Sequence, residues 1–578
     1  MSRRRVLLLC TGTLVILLVG LGLLVGWRAL QVNDALQQAV RDAEDLQTAL
    51  ESGEQADIDE ALSALQSSAG ESADLTSGPI WSVATWVPYL GDDATGVRTA
   101  SRVVSDLADD GVGPLAETAT ELDRLLPRDG RIDTGAVEEL QEPVATAAES
   151  LMRASEDLQA QDSSRYVDRF RLEYRELTSL ITEAAQAMDS AQVAVDLLPE
   201  VLGAEDRRNY LLVFQNNAEI RSTGGLPGAM SIITTEDGRI SLGRQDSANR
   251  FGERATPVLP LSKDEKAVFS EKLGTYMLDA NFTPDWPRAA ALIRARWEEV
   301  HPERLDGVLT VDTVTVSYLL GVTGPVQVGD YTLTADNAVD TLLNQVYIDF
   351  PAPVDQDAFF QLVAKTVFEK IASGEVGKPR ELLRALVRAG DEGRVAVHLS
   401  DEAEQERIAA RRVAGSTRDA NGVAQALNIL LQDATGSKMS YYLDYRTRAA
   451  VTSCTAEVAR VRVTTTLVSE PPAYPASLQR NITGGANTGT KPGDQLVQVR
   501  LLTPSEGRIR GFTIRGKKYG PRSLYLEDRQ VSTAYLLLEP EQPADVVWVV
   551  DVPRDGEIPV RVTPGIEPRD YSTILRGC

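Results

Sequence analysis

The feature that most constrains this chain is its N-terminus, where a cluster of arginines precedes a long uncharged apolar segment. Arg3, Arg4 and Arg5 come directly before residues 6–26, which are rich in Leu, Val and Gly. About 20 apolar residues in a helix cross a bilayer core of about 30 Å, and flanking arginines favour the cytoplasmic side. The segment predicts a cytoplasmic tip and transmembrane anchor over residues 1–27, of single-pass type II, with the bulk of the chain extracytoplasmic.

A cleaved signal peptide is the alternative interpretation of the same segment. Signal peptides have a shorter apolar region, about 7–15 residues, followed by a small-residue cleavage site. No site of the A-x-A type follows residue 26. We therefore favour an anchor in a bacterial cell membrane, and under either interpretation the rest of the chain is exported.

The charge of the chain limits its partners. Acidic residues number 84 and basic residues 59, which gives a net charge of −25. This balance argues against nucleic acid as a partner and is typical of a soluble acidic surface. The chain has only two histidines, His301 and His398, which argues against a His-rich zinc site and against a Ser-His-Asp hydrolase.

Three cysteines bear on the compartment of the folded part. Cys10 lies inside the apolar segment, which leaves Cys454 and Cys578 in the exported part. In an oxidising compartment such a pair forms disulfides, although two unrelated thiols are the alternative. We predict that Cys454 and Cys578 are bridged.

The spacing of apolar residues divides the remainder of the chain into three parts. Residues 28–198 place apolar residues at three- and four-residue spacing, which predicts a helical stalk or bundle. In residues 199–442 strand-like and helix-like segments alternate, which indicates an α/β domain with a central sheet. Residues 443–578 alternate apolar and polar positions between turn residues, as in an antiparallel β-sandwich. With the transmembrane helix, these parts predict a multidomain fold.

The most distinctive stretch is Q-N-N-A-E-I-R-S-T-G-G at residues 215–225, which directly follows the apolar run of residues 210–214. Glycines let backbone N–H groups approach an anion, and the arginine fork matches phosphate oxygens. The candidate phosphate ligands are Asn217, Arg221, Gly224 and Gly225. The alternative is a tight turn in which asparagines cap backbone groups and Arg221 pairs with Glu219. These residues alone leave both interpretations open.

The apolar run and this turn resemble a domain-of-unknown-function family of envelope proteins with the pattern Q-N-N-x-E-x-R-x-T-G-G. Members often combine a membrane anchor with a helical N-terminal region. The resemblance extends over about residues 203–442. It implies a cell-envelope protein and carries no activity by itself.

A second, more distant resemblance concerns residues 304–328. The stretch R-L-D-G-V-L-T-V-D, continuing to L-G-V-T-G-P-V-Q-V, is similar to one in LytR–CpsA–Psr proteins. Those proteins are extracytoplasmic phosphotransferases of cell wall biogenesis that move a glycopolymer from a polyprenyl pyrophosphate carrier to peptidoglycan. The resemblance implies a LytR–CpsA–Psr-like α/β domain, a polyprenyl-linked polysaccharide as ligand and Mg²⁺ as cofactor. It also implies the cytoplasmic membrane, peptidoglycan or envelope assembly proteins as partners.

The same resemblance suggests individual roles. Arg221 falls on the family's first arginine and Arg244 and Asp246 fall on its S-I-P-R-D segment, so these two are the candidate catalytic residues, with Asp246 also the metal ligand. Arg288, on a following helix, is a further candidate for the pyrophosphate.

Departures from the family pattern qualify this assignment. Thr223 stands where the family has an acidic residue, and residues 341–347 lack its closing arginine pair. Two functions therefore stay open: a glycopolymer transferase, or a non-catalytic scaffold or export accessory protein of the envelope.

Overall fold

The computed structural model describes residues 3–52, 54–87, 90–118, 124–374, 379–419, 421–473, 478–485, 488–520, 524–554, 556–569 and 571–578; the side chains of residues 3–23, 51, 117 and 379 are outside this description. The chain divides into two compact units. The first comprises Met1–Leu125 and Asp133–Pro199, and the second comprises Leu126–Ile132 and Glu200–Cys578. The first unit is helical and the second is a mixture of helices and sheets.

The helical unit is built from α1 (Arg3–Ser52), α2 (Gln55–Ser77), α3 (Pro79–Ala84), α4 (Gly91–Asp106), α5 (Gly113–Glu117), α6 (Thr134–Glu139), α7 (Gln141–Gln159) and most of α8 (Asp168–Val201). Its helices bury apolar residues at helical spacing. One core cluster includes Leu46 from α1 with Ile58 and Leu65 from α2. Another centres on Tyr166 and Tyr174, whose rings meet edge to face at 5.2 Å. This unit has the helical character predicted for residues 28–198.

The predicted transmembrane helix requires a correction. Residues 1–2 and the side chains of residues 3–23, where most of the expected span falls, are outside the described part of the chain. In the part that is described, no helix combines the length and the apolar character that crossing a bilayer demands. From residue 24 onward, α1 alternates buried apolar residues such as Val32 and Ala39 with exposed polar ones. The fold class is accordingly a mixture of helix and sheet with several sheets.

The second unit contains 18 strands in the described residues. They are β1 (Arg208–Arg221), β2 (Gly224–Glu236), β3 (Arg239–Ser247), β4 (Gly307–Asp312), β5 (Val326–Val328), β6 (Tyr331–Leu333), β7 (Ala396–Leu399), β8 (Leu427–Asp433), β9 (Leu443–Cys454), β10 (Val458–Ser469), β11 (Gln495–Leu502), β12 (Arg508–Ile514), β13 (Lys517–Tyr519), β14 (Leu524–Leu526), β15 (Arg529–Leu538), β16 (Ala544–Pro553), β17 (Glu557–Val562) and β18 (Ser572–Arg576).

Ten helices accompany these strands within the described residues. They are α9 (Lys263–Phe269), α10 (Lys272–Thr275), α11 (Trp286–Val300), α12 (Thr313–Thr323), α13 (Ala338–Asp340), α14 (Val346–Asp349), α15 (Pro353–Ala372), α16 (Pro379–Asp391), α17 (Glu402–Ile408) and α18 (Arg480–Thr483). Asp285 begins α11 by accepting a hydrogen bond from the backbone of Arg288, and Asp312 begins α12 in the same way.

A mixed five-stranded sheet positions the predicted site. Its order is β3-β2-β1-β4-β7. The β1 and β4 strands are parallel, with Tyr210 opposite Gly307 and Gln215 opposite Asp312, and the other neighbours are antiparallel. Because parallel strands end at the same edge, this register places the polar turn after β1 beside Asp312 at the start of α12.

Two further sheets share one core. The orders are β13-β12-β16-β10-β9 and β14-β15-β11-β8-β17-β18. Buried residues of both sheets, including Val463, Val499 and Trp548, form a single cluster. The arrangement differs from the antiparallel sandwich expected over residues 443–578, because β8 belongs to it and pairs in parallel with β17. Residues 200–578 accordingly form one compact unit.

A disulfide closes the C-terminus onto this unit. Cys454, the last residue of β9, is bonded to Cys578, with a distance of 5.9 Å between their Cα atoms. The backbone N–H of Cys578 also donates to Arg554 O at 3.0 Å. The side chain of Cys10 is outside the described residues.

Candidate functional site

The glycines of the distinctive turn serve the hairpin itself. Arg221 lies opposite Gly224, so only two residues connect β1 with β2. Gly224 has a φ of +130°, where side chains are strained. A Cβ on Gly225 would lie 2.3 Å from the carbonyl carbon of Asn216. The glycine pair therefore permits close approach of two backbone segments, and phosphate binding by Gly224 and Gly225 stays a prediction.

Amide side chains tie this hairpin to β4. Gln215 Oε1 accepts from the N–H of Gly225 at 2.9 Å, and Gln215 Nε2 donates to Thr310 Oγ1 at 2.7 Å. Asn217 Nδ2 donates to Asp312 Oδ2 at 3.2 Å. Both amides are buried. Asn217 therefore links β1 to the end of β4, and pyrophosphate binding by Asn217 stays a prediction.

Arg221 is enclosed by the protein. Its side chain is only 6% exposed, and Nη2 lies 2.7 Å from Glu219 Oε1 and 3.6 Å from Asp279 Oδ1. The guanidinium lies over the ring of Phe282, 5.3 Å from its centroid. Glu219 also pairs with Lys438 at 2.5 Å. This is the tight-turn alternative, so Arg221 belongs to a buried ion cluster, and its role as a pyrophosphate ligand stays a prediction.

The carboxylates of this cluster differ in their protonation. Burial opposes ionisation of Glu219, but the cations of Lys438 and Arg221 hold its pKa at about 2. Burial raises the pKa of Asp279 to about 6 despite the nearby Arg221. Burial, and then the charge of Glu219, raises the pKa of Asp433. The two cations are thus compensated inside the cluster without a ligand.

Arg244 and Asp246 lie away from this turn. Arg244 Nε donates to Glu303 at 2.9 Å from a side chain that is 47% exposed. Asp246 contacts His301 at 3.1 Å and is opposite Met230 in the register of β2 and β3. Met230 stands about 20 Å along β2 from the hairpin turn, at about 3.3 Å per residue. The predicted catalytic pair therefore does not converge with Arg221.

The donor set does not fit the Mg²⁺ site predicted at Asp246. Its carboxylate accepts from the backbone N–H of Ser247 at 2.8 Å and pairs with Arg250 at 3.3 Å in addition to His301. Within the described residues, no group of three or more His, Cys, Asp or Glu side chains is placed to hold a metal ion. Hard divalent cations require several oxygen ligands together, so no step through a metal is derived.

Arg288 connects two helices. Its Nε donates to Glu265 at 2.6 Å and its Nη2 donates to Pro260 O at 2.7 Å. Glu265 is the third residue of α9, where it forms a capping box with Ser262. Arg288 thus links the first turn of α11 to the start of α9, and its role as a pyrophosphate ligand stays a prediction.

An arginine that the sequence did not single out is central to the sheet edge. The Arg394 side chain is fully buried and contacts Asp312 at 2.7 Å and Glu392 at 2.5 Å. It also donates to Gly565 O at 2.7 Å and to Glu567 O at 2.6 Å. Burial opposes its charge, but Asp312 raises the pKa of Arg394. In the sequence only Glu392, two residues away, and the position just before β7 could signal it, because its other partners are distant along the chain.

A cleft of about 770 Å³ lies beside α12 and α16. This volume is within the range of small-molecule sites. Its apolar lining comprises Val314, Val322, Ala335, Val339, Ala385 and Ile566, and its polar lining includes Tyr318, Asp336, Asp340, Arg384, Arg388 and Tyr441. The cleft therefore combines an apolar surface with cations, carboxylates and phenols.

Contacts among the polar residues preorganise this cleft. Arg388 stacks on the ring of Tyr318, 4.1 Å from its centroid, and donates to Glu392 at 2.9 Å. The hydroxyl of Tyr318 donates to the same carboxylate at 2.8 Å. Across the cleft, Tyr441 donates to Asp340 at 2.7 Å. The Arg388 side chain is nevertheless 52% exposed, so it presents its charge to a ligand.

The fold and the cleft define a mixed α/β domain joined to a two-sheet β region. Within it, residues 205–347 match the family described as "Protein of unknown function (DUF4012)". This match confirms the expectation of a domain-of-unknown-function family and covers the hairpin turn and α12. A search of curated proteins and a search of solved structures each found no match. The resemblance to LytR–CpsA–Psr proteins stays a prediction.

Proposed function

We propose that this chain is an extracytoplasmic cell-envelope protein that binds a lipid-linked saccharide carrier of the polyprenyl pyrophosphate type without transferring its glycan. The observation that carries this proposal is the cleft of about 770 Å³ beside α12 and α16, with its apolar and charged lining. Such a ligand has an apolar chain, a phosphate-bearing group and a saccharide, and each requires a different surface.

The two surfaces of the cleft suit the two ends of an amphiphile. Small and branched side chains such as Val322, Ala335 and Ala385 provide apolar area for a hydrocarbon chain. Arg384 and Arg388 are one helical turn apart on α16, so they face the same side. The guanidinium fork matches phosphate oxygens better than a lysine ammonium does.

Two observations favour binding over transfer. Arg221, Arg244 and Asp246 have separate protein partners. Asp246 does not belong to a cluster of metal-ligating side chains among the described residues. These observations favour a scaffold or export accessory role, with peptidoglycan or envelope assembly proteins as recipients of the carrier. The disulfide of Cys454 with Cys578 supports a location outside the cytoplasm.

Titration calorimetry of the full chain with farnesyl pyrophosphate, a short soluble polyprenyl pyrophosphate, tests the cleft. Ala385→Trp places an indole in the cleft and should weaken binding by at least about tenfold, or about 1.4 kcal/mol. Leu383→Trp is the matched control, because Leu383 is on the same helix, is exposed and does not line the cleft. Equal affinities for wild type and Ala385→Trp would reject the cleft as the site.

A second assay separates binding from transfer. Phosphate release from the bound carrier is measured with Mg²⁺ and a saccharide acceptor present, and we expect none above the protein-free rate. Catalytic turnover by the wild type would contradict the non-catalytic role while leaving the binding site intact.

A further inference from the structure

A second cavity, of about 110 Å³, lies beside β17 and the loop of residues 412–417. One water needs only about 15 Å³, so this cavity has room for a small polyatomic ligand. Its lining includes Arg412, Arg561, Asn428 and Trp286. The two arginines make it a cationic cavity distinct from the cleft, with which it shares no lining residue.

Arg561 lacks the carboxylate partners that Arg221 and Arg394 have. In the described part of the chain its polar contact is a single hydrogen bond, from Nη1 to Ser416 O at 3.3 Å. Among the described residues no carboxylate lies within ion-pair distance of it, whereas Arg394 contacts two. Burial and then the guanidinium of Arg412 lower the pKa of Arg561. A partly buried cation beside a like charge is costly unless an anion joins it.

A third cation stands behind the cavity wall. Arg529 is 1% exposed and donates to Oδ1 of Asn428, which lines the cavity. Its contacts are to backbone and amide oxygens, and its Nη1 is buried without a partner among the described residues. Asp528 and Asp285 are the nearby acids; Asp528 pairs with Arg418 at 2.5 Å, and Asp285 Oδ1 already accepts from the backbone N–H of Thr417 at 3.0 Å. The local field therefore favours an anion.

Within the part of the chain that the structure describes, Glu392 is the one carboxylate in the cavity lining, and it already pairs with other arginines. It contacts Arg394 at 2.5 Å and Arg388 at 2.9 Å, and it accepts from the hydroxyl of Tyr318 at 2.8 Å. Two guanidinium groups thus compensate this carboxylate. It neither pairs with Arg561 nor dominates the cavity with negative charge.

Trp286 adds a buried donor to the lining. It is 1% exposed, and among the described residues its indole N–H has no hydrogen-bond partner. The adjoining loop lies against it, because the backbone N–H of Trp286 donates to Gly415 O at 3.0 Å. Gly415 has a φ of +61°, and a Cβ there would lie 2.6 Å from Trp286 Cβ. The cavity lining thus includes two guanidinium groups and an indole whose N–H lacks a partner among the described residues, and a donor left without a partner in the interior is costly.

We infer that this cavity binds a phosphate-type oxyanion, held by Arg412 and Arg561 and approached by the indole N–H of Trp286. Guanidinium groups bind phosphate oxygens through charge-assisted hydrogen bonds. The oxyanion is either inorganic phosphate or the phosphate of a sugar monoester. The inference stands apart from the proposed carrier cleft, since different residues carry it.

Titration calorimetry of the full chain, with its disulfide intact, tests this site with inorganic phosphate and with glucose 1-phosphate. Arg561→Gln and Arg412→Gln should each weaken binding by at least about tenfold, as expected for losing a charged hydrogen-bond donor. The control is Arg462→Gln, since Arg462 is exposed on β10 and does not line the cavity. Arg412 is itself exposed, so its variant should fold even if Arg561→Gln does not.

Each outcome decides the inference. Binding of inorganic phosphate that both variants weaken supports a free-anion site, and binding of glucose 1-phosphate alone supports a sugar-phosphate site. Absence of binding for both probes, or binding that neither variant changes, would overturn it. Ala385→Trp should leave the affinity for these probes unchanged, so failure here is distinguishable from failure of the carrier cleft.

Discussion

Two arginine-containing regions of the same compact unit differ in whether carboxylates neutralise their buried positive charge. At the sheet edge, Arg221 and Arg394 each meet two carboxylates. In the cavity beside β17, Arg561 meets a backbone carbonyl and a like-charged neighbour, Arg412. Desolvating a cation costs several kcal/mol unless a partner offsets it, on the order of the Born penalty after relaxation. A compensated arginine therefore stabilises the fold, and an uncompensated one indicates a ligand.

The largest expected effect tests the compensated region. Arg394→Met should lower the free energy of unfolding by about 3–5 kcal/mol, because it leaves Asp312 and Glu392 buried without their cation. Urea unfolding of the full chain measures this loss, with Arg462→Met as the exposed control. A loss no larger than that of the control would show that Arg394 is not a stabilising centre.

A second prediction concerns the pH dependence of Asp279. Burial raises its pKa from 3.8 to about 6, so between these pH values the folded state holds a proton that the unfolded state has lost. Its contribution to stability is therefore full below about pH 3.8 and is lost as the pH rises through about 6, by about 3 kcal/mol. Glu219 acts in the opposite direction, because its depressed pKa contributes stability that is lost as the pH falls from 4.5 to about 2.

Urea unfolding at a series of pH values separates these two contributions. Asp279→Asn keeps the shape of the side chain and removes its titration, so the stability of this variant relative to wild type should rise between pH 4 and 6. A difference that stays constant over that interval would contradict the raised pKa of Asp279.

A third, smaller effect is expected at Arg221. Arg221→Lys keeps the charge but loses the fork, which should lower stability by about 1–2 kcal/mol and leave farnesyl pyrophosphate affinity unchanged. Thermal unfolding and titration calorimetry on the same variant measure both quantities. Weakened binding with unchanged stability would restore Arg221 as a phosphate ligand and remove the contrast with Arg561.

The sequence predicts local features, such as strands and turns, better than it predicts which buried arginines pair with carboxylates. The run of residues 210–214 lies within β1, and the Gly-Gly pair marks a real turn, because strand pattern and turn residues are local signals. The sequence also predicts the tight-turn alternative for Arg221, since its partner Glu219 is only two residues away. The central position of Arg394 could not be predicted from the sequence, because only the fold brings Asp312 and Gly565 next to it.

The same limit explains why the cavity arginine was missed. Arg561 lies in the strand E-I-P-V-R-V, which has no motif and no unusual composition. Its significance depends on two facts that the fold creates. Among the described residues no carboxylate lies within ion-pair distance of it, and its neighbour Arg412 comes from a loop distant in sequence. Conversely, the resemblance to a family pattern predicts a site role for Asp246 and Arg244, and the strand register places both residues away from the turn.

The smallest expected effect has the opposite sign to the first. Arg561→Met replaces an uncompensated cation with an apolar chain of similar length, so without ligand it should raise the free energy of unfolding by up to about 1 kcal/mol. Adding inorganic phosphate should stabilise the wild type and not the variant, because a ligand that binds only the folded state adds to its stability. Urea unfolding with and without phosphate measures both differences, and Arg462→Met reports nonspecific salt effects. If Arg561→Met instead lost several kcal/mol, as expected for Arg394→Met, both arginines would be structural and the contrast between the two regions would fail.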